Sequence, residues 1–242
     1  VVQNEASSSL ITQNGNNNDA SVNQNGNGNS STIAQTGNGN GVGSVTNGTS
    51  SWSPTSNNTT GVTQNGTNNA SNVAQTANGA SATVNQSGSG NQSGITQNAA
   101  STATVMQTGA GNVSGVLQDG SNNLATVGQT GTGNSAWTSQ AGTGVNSNIE
   151  QGNFDATSSG NVASVSQNVG SDGSVSDVNQ NGTGNYAGVT QNGANNDSFL
   201  YTTGNGNSAS VTQNGSSGAS VLIQRDFIAD SSTSPATGNQ AS

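Results

Sequence analysis

Apolar residues in this chain recur at every second position within short polar segments. In the segment QDGSNNLATVGQ, residues 118–129, the side chains of Ala125, Val127 and Gln129 are separated by single small or polar residues. A period of two is that of a β-strand, in which alternate side chains share one face. The pattern therefore predicts a strand with a small residue, an aliphatic residue and a glutamine on its inner face.

This strand pattern repeats about every eleven residues. The unit is Q-x-G-x-x-N-x-(A/S)-x-(V/I/L)-x-Q, and clear copies occupy residues 13–24, 118–129 and 180–191. If Asn47 and Thr202 are counted at glutamine positions, the chain contains twenty units. The G-x-x-N segment predicts a turn, because Gly and Asn tolerate positive φ. Each unit is therefore predicted to be one short strand and one turn.

Other structures can also produce an eleven-residue period. A right-handed helical coiled coil has this repeat, but the many Gly, Asn, Ser and Thr residues would destabilise a helix by roughly several kcal/mol per unit. Asn-Gly pairs are also typical of hairpins. An antiparallel meander of this length would leave its valine face uncovered, and open sheets rarely exceed about ten strands. A disordered polar tract needs no constant register.

We therefore predict an all-β fold, a β-solenoid of about ten coils with about 22 residues in each coil. Two units form one flattened coil with their valine faces opposed, and the next coil stacks in parallel about 4.8 Å away, as in a cross-β structure. Each glutamine is then stacked on the glutamine of the preceding coil. Stacked amides can donate to one neighbour and accept from the other, which satisfies polar groups that are costly to bury.

The predicted site is structural: it consists of the strand-end glutamines and the turn asparagines, which we call the ladder residues. The glutamines are Gln13, Gln24, Gln35, Gln64, Gln75, Gln86, Gln97, Gln107, Gln118, Gln129, Gln140, Gln151, Gln167, Gln180, Gln191, Gln213 and Gln224. The asparagines are Asn18, Asn29, Asn69, Asn112, Asn123, Asn134, Asn185, Asn196 and Asn207.

Two departures from the spacing predict insertions, near residues 48–60 and 152–162. The first contains Pro54, which has no N–H to donate to a sheet. The remaining spacing is regular enough to predict one repeat domain over residues 1–224. Residues 225–242 lack the repeat, and we expect a tail that is partly disordered or capping.

Composition excludes several classes of function. With a net charge of −9 and a single basic residue, the chain cannot neutralise phosphates, so we expect no nucleic acid partner. The chain has no His, no Cys and no Lys, so we expect no enzyme activity, no metal site and no cofactor. Even the longest apolar runs, such as Val221–Ile223, are far too short for membrane insertion.

Four aromatic residues fall at outward positions of the predicted strands: Trp137, Tyr186, Phe199 and Tyr201. Aromatic side chains at such positions could bundle fibres laterally, or bind dyes and glycans. Scattered exposed aromatic residues are also normal on protein surfaces. The sequence leaves both interpretations open.

The unit Q-x-G-x-x-N-x-A-x-V-x-Q resembles the curlin repeat, the building block of curli, which are extracellular functional amyloid fibres of bacterial biofilms. The resemblance extends over most of residues 3–224. In one such unit it implies inward or corner positions for Gln118, Asn123, Ala125, Val127 and Gln129.

The resemblance also implies a function. It implies a secreted structural subunit that assembles head-to-tail into extracellular fibres for biofilm matrix, adhesion and surface colonisation. Its implied partners are identical copies, a nucleator subunit and an outer-membrane secretion pore. The N-terminal residues VVQNEASSSL do not read as a signal peptide, so we expect any export signal to have been removed. The main alternative is a monomeric β-solenoid binding module, either ice-binding or adhesive.

Overall fold

The computed structural model describes residues 1–4, 6–15, 20–36, 59–152, 158–225 and 240–241, and these residues form two ten-stranded sheets without a helix. Sheet A contains β1 (Val2–Asn4), β3 (Ser21–Asn25), β5 (Thr59–Thr67), β7 (Ser81–Ser89), β9 (Thr102–Ala110), β11 (Leu124–Thr132), β13 (Asn146–Gln151), β15 (Val175–Thr183), β17 (Asp197–Asn205) and β19 (Ala219–Arg225). Sheet B contains β2 (Ser8–Asn14), β4 (Ser30–Thr36), β6 (Ala70–Gln75), β8 (Gln92–Gln97), β10 (Val113–Gln118), β12 (Ser135–Gln140), β14 (Val162–Gln167), β16 (Tyr186–Gln191), β18 (Ser208–Gln213) and β20 (Gln240–Ala241).

Successive strands alternate between the sheets, and each strand pairs in parallel with the strand two places along the chain. The register follows the repeat. Val127 in β11 pairs with Val105 on one side and with Ile149 on the other. The prediction of a β-solenoid with about 22 residues per coil is therefore confirmed, and the antiparallel meander is wrong.

The core lies between the two sheets and consists of columns of aliphatic and small side chains. Val127 is fully buried, as are Val105 and Ile149 above and below it. The column on the facing sheet includes Val116 and Val165. Because a parallel in-register stack places identical positions over one another, the same three inward positions build the core in every coil.

The small inward position changes its identity about halfway along the solenoid. Sheet B holds serine there as far as Ser114 and alanine from Ala136 onward, whereas sheet A changes from Ala125 to Ser147. In the coil where this exchange occurs, Thr138 takes the aliphatic position, and its Oγ1 lies 3.2 Å from Oγ of Ser147. The hydroxyls of Thr138 and Ser147 therefore bond to each other inside the core.

The glycine of the repeat is required by close stacking where a sheet A strand ends in a Q-x-G segment. Gly88 has a φ of +113°, and a Cβ atom placed on it would overlap the carbonyl oxygen of Gly109 in the next coil. A side chain at this position would force neighbouring coils apart. The glycines stacked at this position, from Gly26 to Gly131 and at Gly182 and Gly204, therefore follow from the small coil spacing.

The first predicted insertion alters the count of units. Residues 37–58 lie between β4 and β5 and are outside the described residues, as are Asn47 and most of the predicted insertion near 48–60. Strand β3 pairs directly with β5, and Gln24 bonds to Gln64. No coil position remains between them for a unit containing Asn47.

The second insertion and the tail also fall partly outside the described residues. Residues 153–157, inside the predicted insertion near 152–162, are outside, and β14 resumes at Val162. In the predicted tail, 225–242, Arg225 is the last residue of β19, and 226–239 are outside the description. Strand β20 pairs with the first two residues of β18.

Candidate functional site

A column of glutamine side chains, buried from Gln24 onward, runs along sheet A. The Nε2 group of each donates to Oε1 of the glutamine in the next coil, and a distance of 2.7–2.9 Å separates these two atoms throughout. The pairs, donor first, are Gln3–Gln24, Gln24–Gln64, Gln64–Gln86, Gln86–Gln107, Gln107–Gln129, Gln129–Gln151 and Gln151–Gln180.

A second column runs along sheet B with the same geometry. Its pairs, donor first, are Gln13–Gln35, Gln75–Gln97, Gln97–Gln118, Gln118–Gln140, Gln140–Gln167, Gln167–Gln191 and Gln191–Gln213, at 2.8–3.0 Å. Between Gln35 and Gln75 the direct contact lengthens to 3.5 Å, and Thr60 Oγ1 bridges the two amides. The bridge keeps the column continuous.

The second amide hydrogen of each glutamine reaches the opposite sheet. Nε2 of Gln86 donates to the carbonyl oxygen of Ala70 at 2.9 Å, and Nε2 of Gln118 donates to that of Thr102 at 2.9 Å. From Gln24 to Gln151 in sheet A and from Gln97 to Gln191 in sheet B, the buried amides therefore bond both along their column and across the core. Satisfying every polar atom in this way removes most of the cost of burying an amide.

Both glutamine columns have one direction. In every pair named above, the residue with the lower number donates and the residue with the higher number accepts. The first coil therefore presents the amide oxygens of Gln3 and Gln13, and the last coils lie at the donating end of each column. This polarity gives the two ends of the solenoid different chemistry.

Thr202 interrupts the column in sheet A. It occupies the glutamine position between Gln180 and Gln224, and it is fully buried. Its Oγ1 has no hydrogen-bond partner among the described residues. The amide column of sheet A is therefore incomplete near its C-terminal end.

The turn asparagines bond mainly to the backbone of the neighbouring coil. At the turn from sheet A to sheet B, Oδ1 of Asn112 accepts the N–H of Asn134 at 3.0 Å, and its Nδ2 donates to the carbonyl oxygen of Gly131 at 3.1 Å. The amide-to-amide bonding expected from the sequence is also present in places, since Nδ2 of Asn112 donates to Oδ1 of Asn91 at 3.1 Å. The same turn holds Asn29, Asn69, Asn185 and Asn207, all buried.

The opposite turn, from sheet B to sheet A, is less uniform. Asn123 and Asn196 lie here, and their N–H groups donate to the hydroxyls of Ser101 and Ser174 at 3.2 and 3.0 Å. Serine and asparagine therefore share this position. Asn18 lies outside the described residues.

Two members of the asparagine row, Asn91 and Asn161, are absent from the set predicted from the sequence. Both are fully buried and make the same backbone contacts as Asn112. Each precedes the next glutamine of the sheet B column, Gln97 or Gln167, by six residues. Counting backward from that glutamine would have identified both residues, including the one next to the second insertion.

The described part of the chain shows no group of three or more Asp, Glu, His or Cys residues suited to a metal ion. Nor does it contain a helix that could cross a membrane. The side-chain chemistry of the described interior is therefore that of stacked amides, hydroxyls and small apolar groups.

Comparison with known proteins agrees with this geometry. A family model described as the curlin associated repeat matches residues 15–43 and 99–131. The second match contains β9 and β10 and most of β11, where the glutamine columns are unbroken. A search of curated proteins finds no match to the chain. The chain therefore carries curlin associated repeats, and the resemblance seen in the sequence is confirmed.

Proposed function

We propose that this chain is a secreted structural subunit that assembles head-to-tail into extracellular amyloid fibres of the curli type. The main observation in support of this proposal is that the outer edges of sheet A are not covered by another described strand. Strands β1 and β19 each pair with a single neighbour, and no other described strand covers the outer edge of sheet A at either end. A free strand edge is a site at which another strand of the same kind can add.

The parallel arrangement favours addition in one orientation. A second copy placed beyond β19 would contribute its own β1 as the next parallel strand of sheet A. The glutamine columns support the same orientation, because a first coil that accepts would meet a last coil that donates. A head-to-head contact would instead place two amide oxygens, or two amide N–H groups, opposite each other. We therefore propose that the ladder residues hold coils together both within and between copies.

The distribution of charge also supports a stacked assembly. Asp177 is stacked between Asn148 and Phe199, and Glu150 is stacked between Gly128 and Asn179. Like charges separated by one coil would repel by roughly 1 kcal/mol even in water. No described strand places a carboxylate directly over another at these positions, so the stack avoids this penalty.

The curlin match supports the wider role. Curlin fibres belong to biofilm matrix, and by this likeness we assign the chain to matrix building, adhesion and surface colonisation. From the same likeness we infer two further partners, a nucleator subunit and an outer-membrane secretion pore. A structural subunit of this kind requires no catalytic residues.

Electron microscopy and fibre diffraction of the purified chain test the proposal. We expect unbranched fibres with a meridional reflection near 4.7–4.8 Å and an equatorial reflection near 10 Å. Isotope-edited infrared spectra should report parallel pairing between neighbouring coils. Short rods that stay monomeric at all concentrations would contradict the proposal and favour the binding-module alternative.

A further inference from the structure

The outer face of sheet B carries an aromatic side chain that covers a glycine of the neighbouring strand. A Cβ atom placed on Gly115 would overlap Cε3 and Cζ3 of Trp137, so the indole ring covers this glycine. Gly115 is buried as a result, whereas Trp137 itself remains 53% exposed. The indole therefore contacts the neighbouring strand and leaves about half of its surface open to solvent.

A second aromatic ring has the same relation to a glycine farther along this face. Tyr186 reaches over Gly188 in its own strand, and its hydroxyl oxygen lies 3.2 Å from the position that a Cβ of Gly188 would take. Gly115, Trp137, Ser164 and Gly188 share one register across β10, β12, β14 and β16. Three strand spacings, roughly 14 Å, separate the two covered glycines along the solenoid axis.

The surroundings of the two rings are apolar on one side and hydroxyl-rich on the other. Val113 and Val162 are exposed beside the rings, and they lie in register with Tyr186. A parallel row on the other side contains Ser139, Ser166 and Thr190. We call the exposed set of Val113, Trp137, Val162 and Tyr186 the aromatic strip. It combines flat apolar surface with a line of hydrogen-bonding groups.

The groove next to Trp137 extends the strip toward the N-terminal coils. It has a volume of about 290 Å³ and is lined by Asn72, Gln92, Gly94 and Val113, among others. A Cβ atom at Gly94 would meet nothing within 4 Å, so the floor of the groove is open. The amide side chains at its wall can donate to and accept from a polar ligand.

The electrostatics of this face indicate a neutral ligand. None of the described strands of sheet B contains a charged residue, whereas Glu150, Asp177, Asp197 and Arg225 all belong to strands of sheet A. The whole chain carries a net charge of −9, which disfavours approach by another polyanion.

We propose that the aromatic strip binds a neutral, extended polysaccharide whose chain runs along the solenoid axis. The apolar faces of two sugar rings of the same chain would stack on Trp137 and Tyr186, since aromatic rings offer flat apolar area without charge. The hydroxyls of the sugars would bond to Ser139, Ser166 and Thr190. This inference goes beyond fibre formation and does not require it, because the strip is complete within one copy.

Retention on microcrystalline cellulose, a neutral β-linked glucan, tests the proposal. The full chain is mixed with the polymer below its polymerisation concentration, and the bound fraction is measured after sedimentation. We expect the wild-type chain to be retained, and the double variant Trp137→Ala, Tyr186→Ala to bind at least tenfold more weakly. Trp137→Phe should retain most of the binding because it keeps a flat ring.

The matched control is Tyr201→Ala, which removes an outward aromatic ring from sheet A and should bind like wild type. In a Trp52→Phe background, soluble cello-oligosaccharides should change the fluorescence of Trp137, whereas the polyanion alginate should not. Infrared spectra show whether each variant keeps its parallel sheets.

Absence of wild-type retention would overturn the proposal, as would equal loss for the double variant and Tyr201→Ala. Variants at Trp137 and Tyr186 that change the width of fibre bundles but leave cellulose retention unaltered would assign this face to lateral packing between copies, and the proposal would be wrong. If the double variant forms normal fibres but binds cellulose weakly, the loss of binding is distinguished from a failure of fibre assembly.

Discussion

Gln24 donates from Nε2 to Oε1 of Gln64 at 2.7 Å, although 40 positions separate the two residues in the chain. The contact has the same geometry as the one between Gln64 and Gln86, which lie 22 positions apart. The ladder therefore continues from coil to coil regardless of the length of chain between them. This agrees with the slow growth of loop-closure cost with loop length, about 0.6 kcal/mol for each doubling.

The buried amides should contribute more to stability than exposed amides of the same type. Gln118→Ala removes the acceptor of Gln97 and the donor to Gln140. We expect a loss of about 1–3 kcal/mol in the free energy of unfolding, because buried polar groups lose their partners. Asn98→Ala, at an exposed amide, is the control and should have little effect. Urea denaturation of the soluble chain measures both, and equal losses would contradict a role for the column.

The two faces of a strand should respond very differently to a carboxylate. Val127 is fully buried, whereas its neighbour Thr126 faces outward and is partly exposed. Val127→Asp buries an unpaired charge, which is costly, so we expect it to abolish or strongly slow assembly. Thr126→Asp should assemble nearly as wild type. Thioflavin fluorescence followed over time measures both rates, and similar rates would mean that the faces are wrongly assigned.

Completing the glutamine column should stabilise the C-terminal coils. Thr202→Gln places an amide between Gln180 and Gln224, where Thr202 Oγ1 lacks a partner among the described residues. We expect a gain of about 0.5–1.5 kcal/mol in the free energy of unfolding, the usual net value of a hydrogen bond. Thr203→Gln, at the adjacent outward position, is the control. A destabilised Thr202→Gln variant would show that the column cannot accept a glutamine there.

The edge of β19 should be sensitive to proline if fibres grow through it. Proline removes a backbone donor and resists pairing within a sheet. We therefore expect Val221→Pro to slow the elongation of preformed wild-type seeds severalfold. Thr55→Pro, in the insertion predicted from the sequence and outside the described residues, should elongate nearly normally. Normal seeded growth of Val221→Pro with loss of growth in Thr55→Pro would overturn the head-to-tail mechanism.

The C-terminal segment should restrain growth rather than support it. Strand β20 covers Ser208 and Ala209 at the edge of β18, where the next copy would pair. Deleting residues 226–242 exposes this edge, so we expect fibres to form at least as fast as with the full chain. Seeded elongation rates of the two chains decide the point. A deletion that remains soluble but cannot polymerise would make this segment part of the joint.

Much of the fold could be predicted from the sequence because period and composition act together. The position of Val127 follows from alternation, and its stacking on Val105 follows from the constant spacing of the repeat. The partners of the asparagines could not be predicted, since an amide is equally able to bond another amide or a backbone group. Only the path of the turn places the N–H of Asn134 next to Asn112.

The break at Asn47 could not be interpreted from the sequence for a different reason. An asparagine at a glutamine position followed by a long interval fits either a coil with an insertion or a single long connection. Spacing alone does not separate them, because loop length has so small an energetic cost. The pairing of β3 with β5 settles the question.

The single direction of the glutamine bonds has an electrical consequence. Backbone dipoles in a sheet largely cancel, but the side-chain amides here all point the same way along the axis, from Gln3 toward Gln180 and from Gln13 toward Gln213. Their dipoles add, as peptide dipoles do in a helix. A filament built from such stacks would carry a permanent electric dipole moment along its axis. This dipole moment would grow with the length of the filament, and the filament would tend to align in an applied electric field.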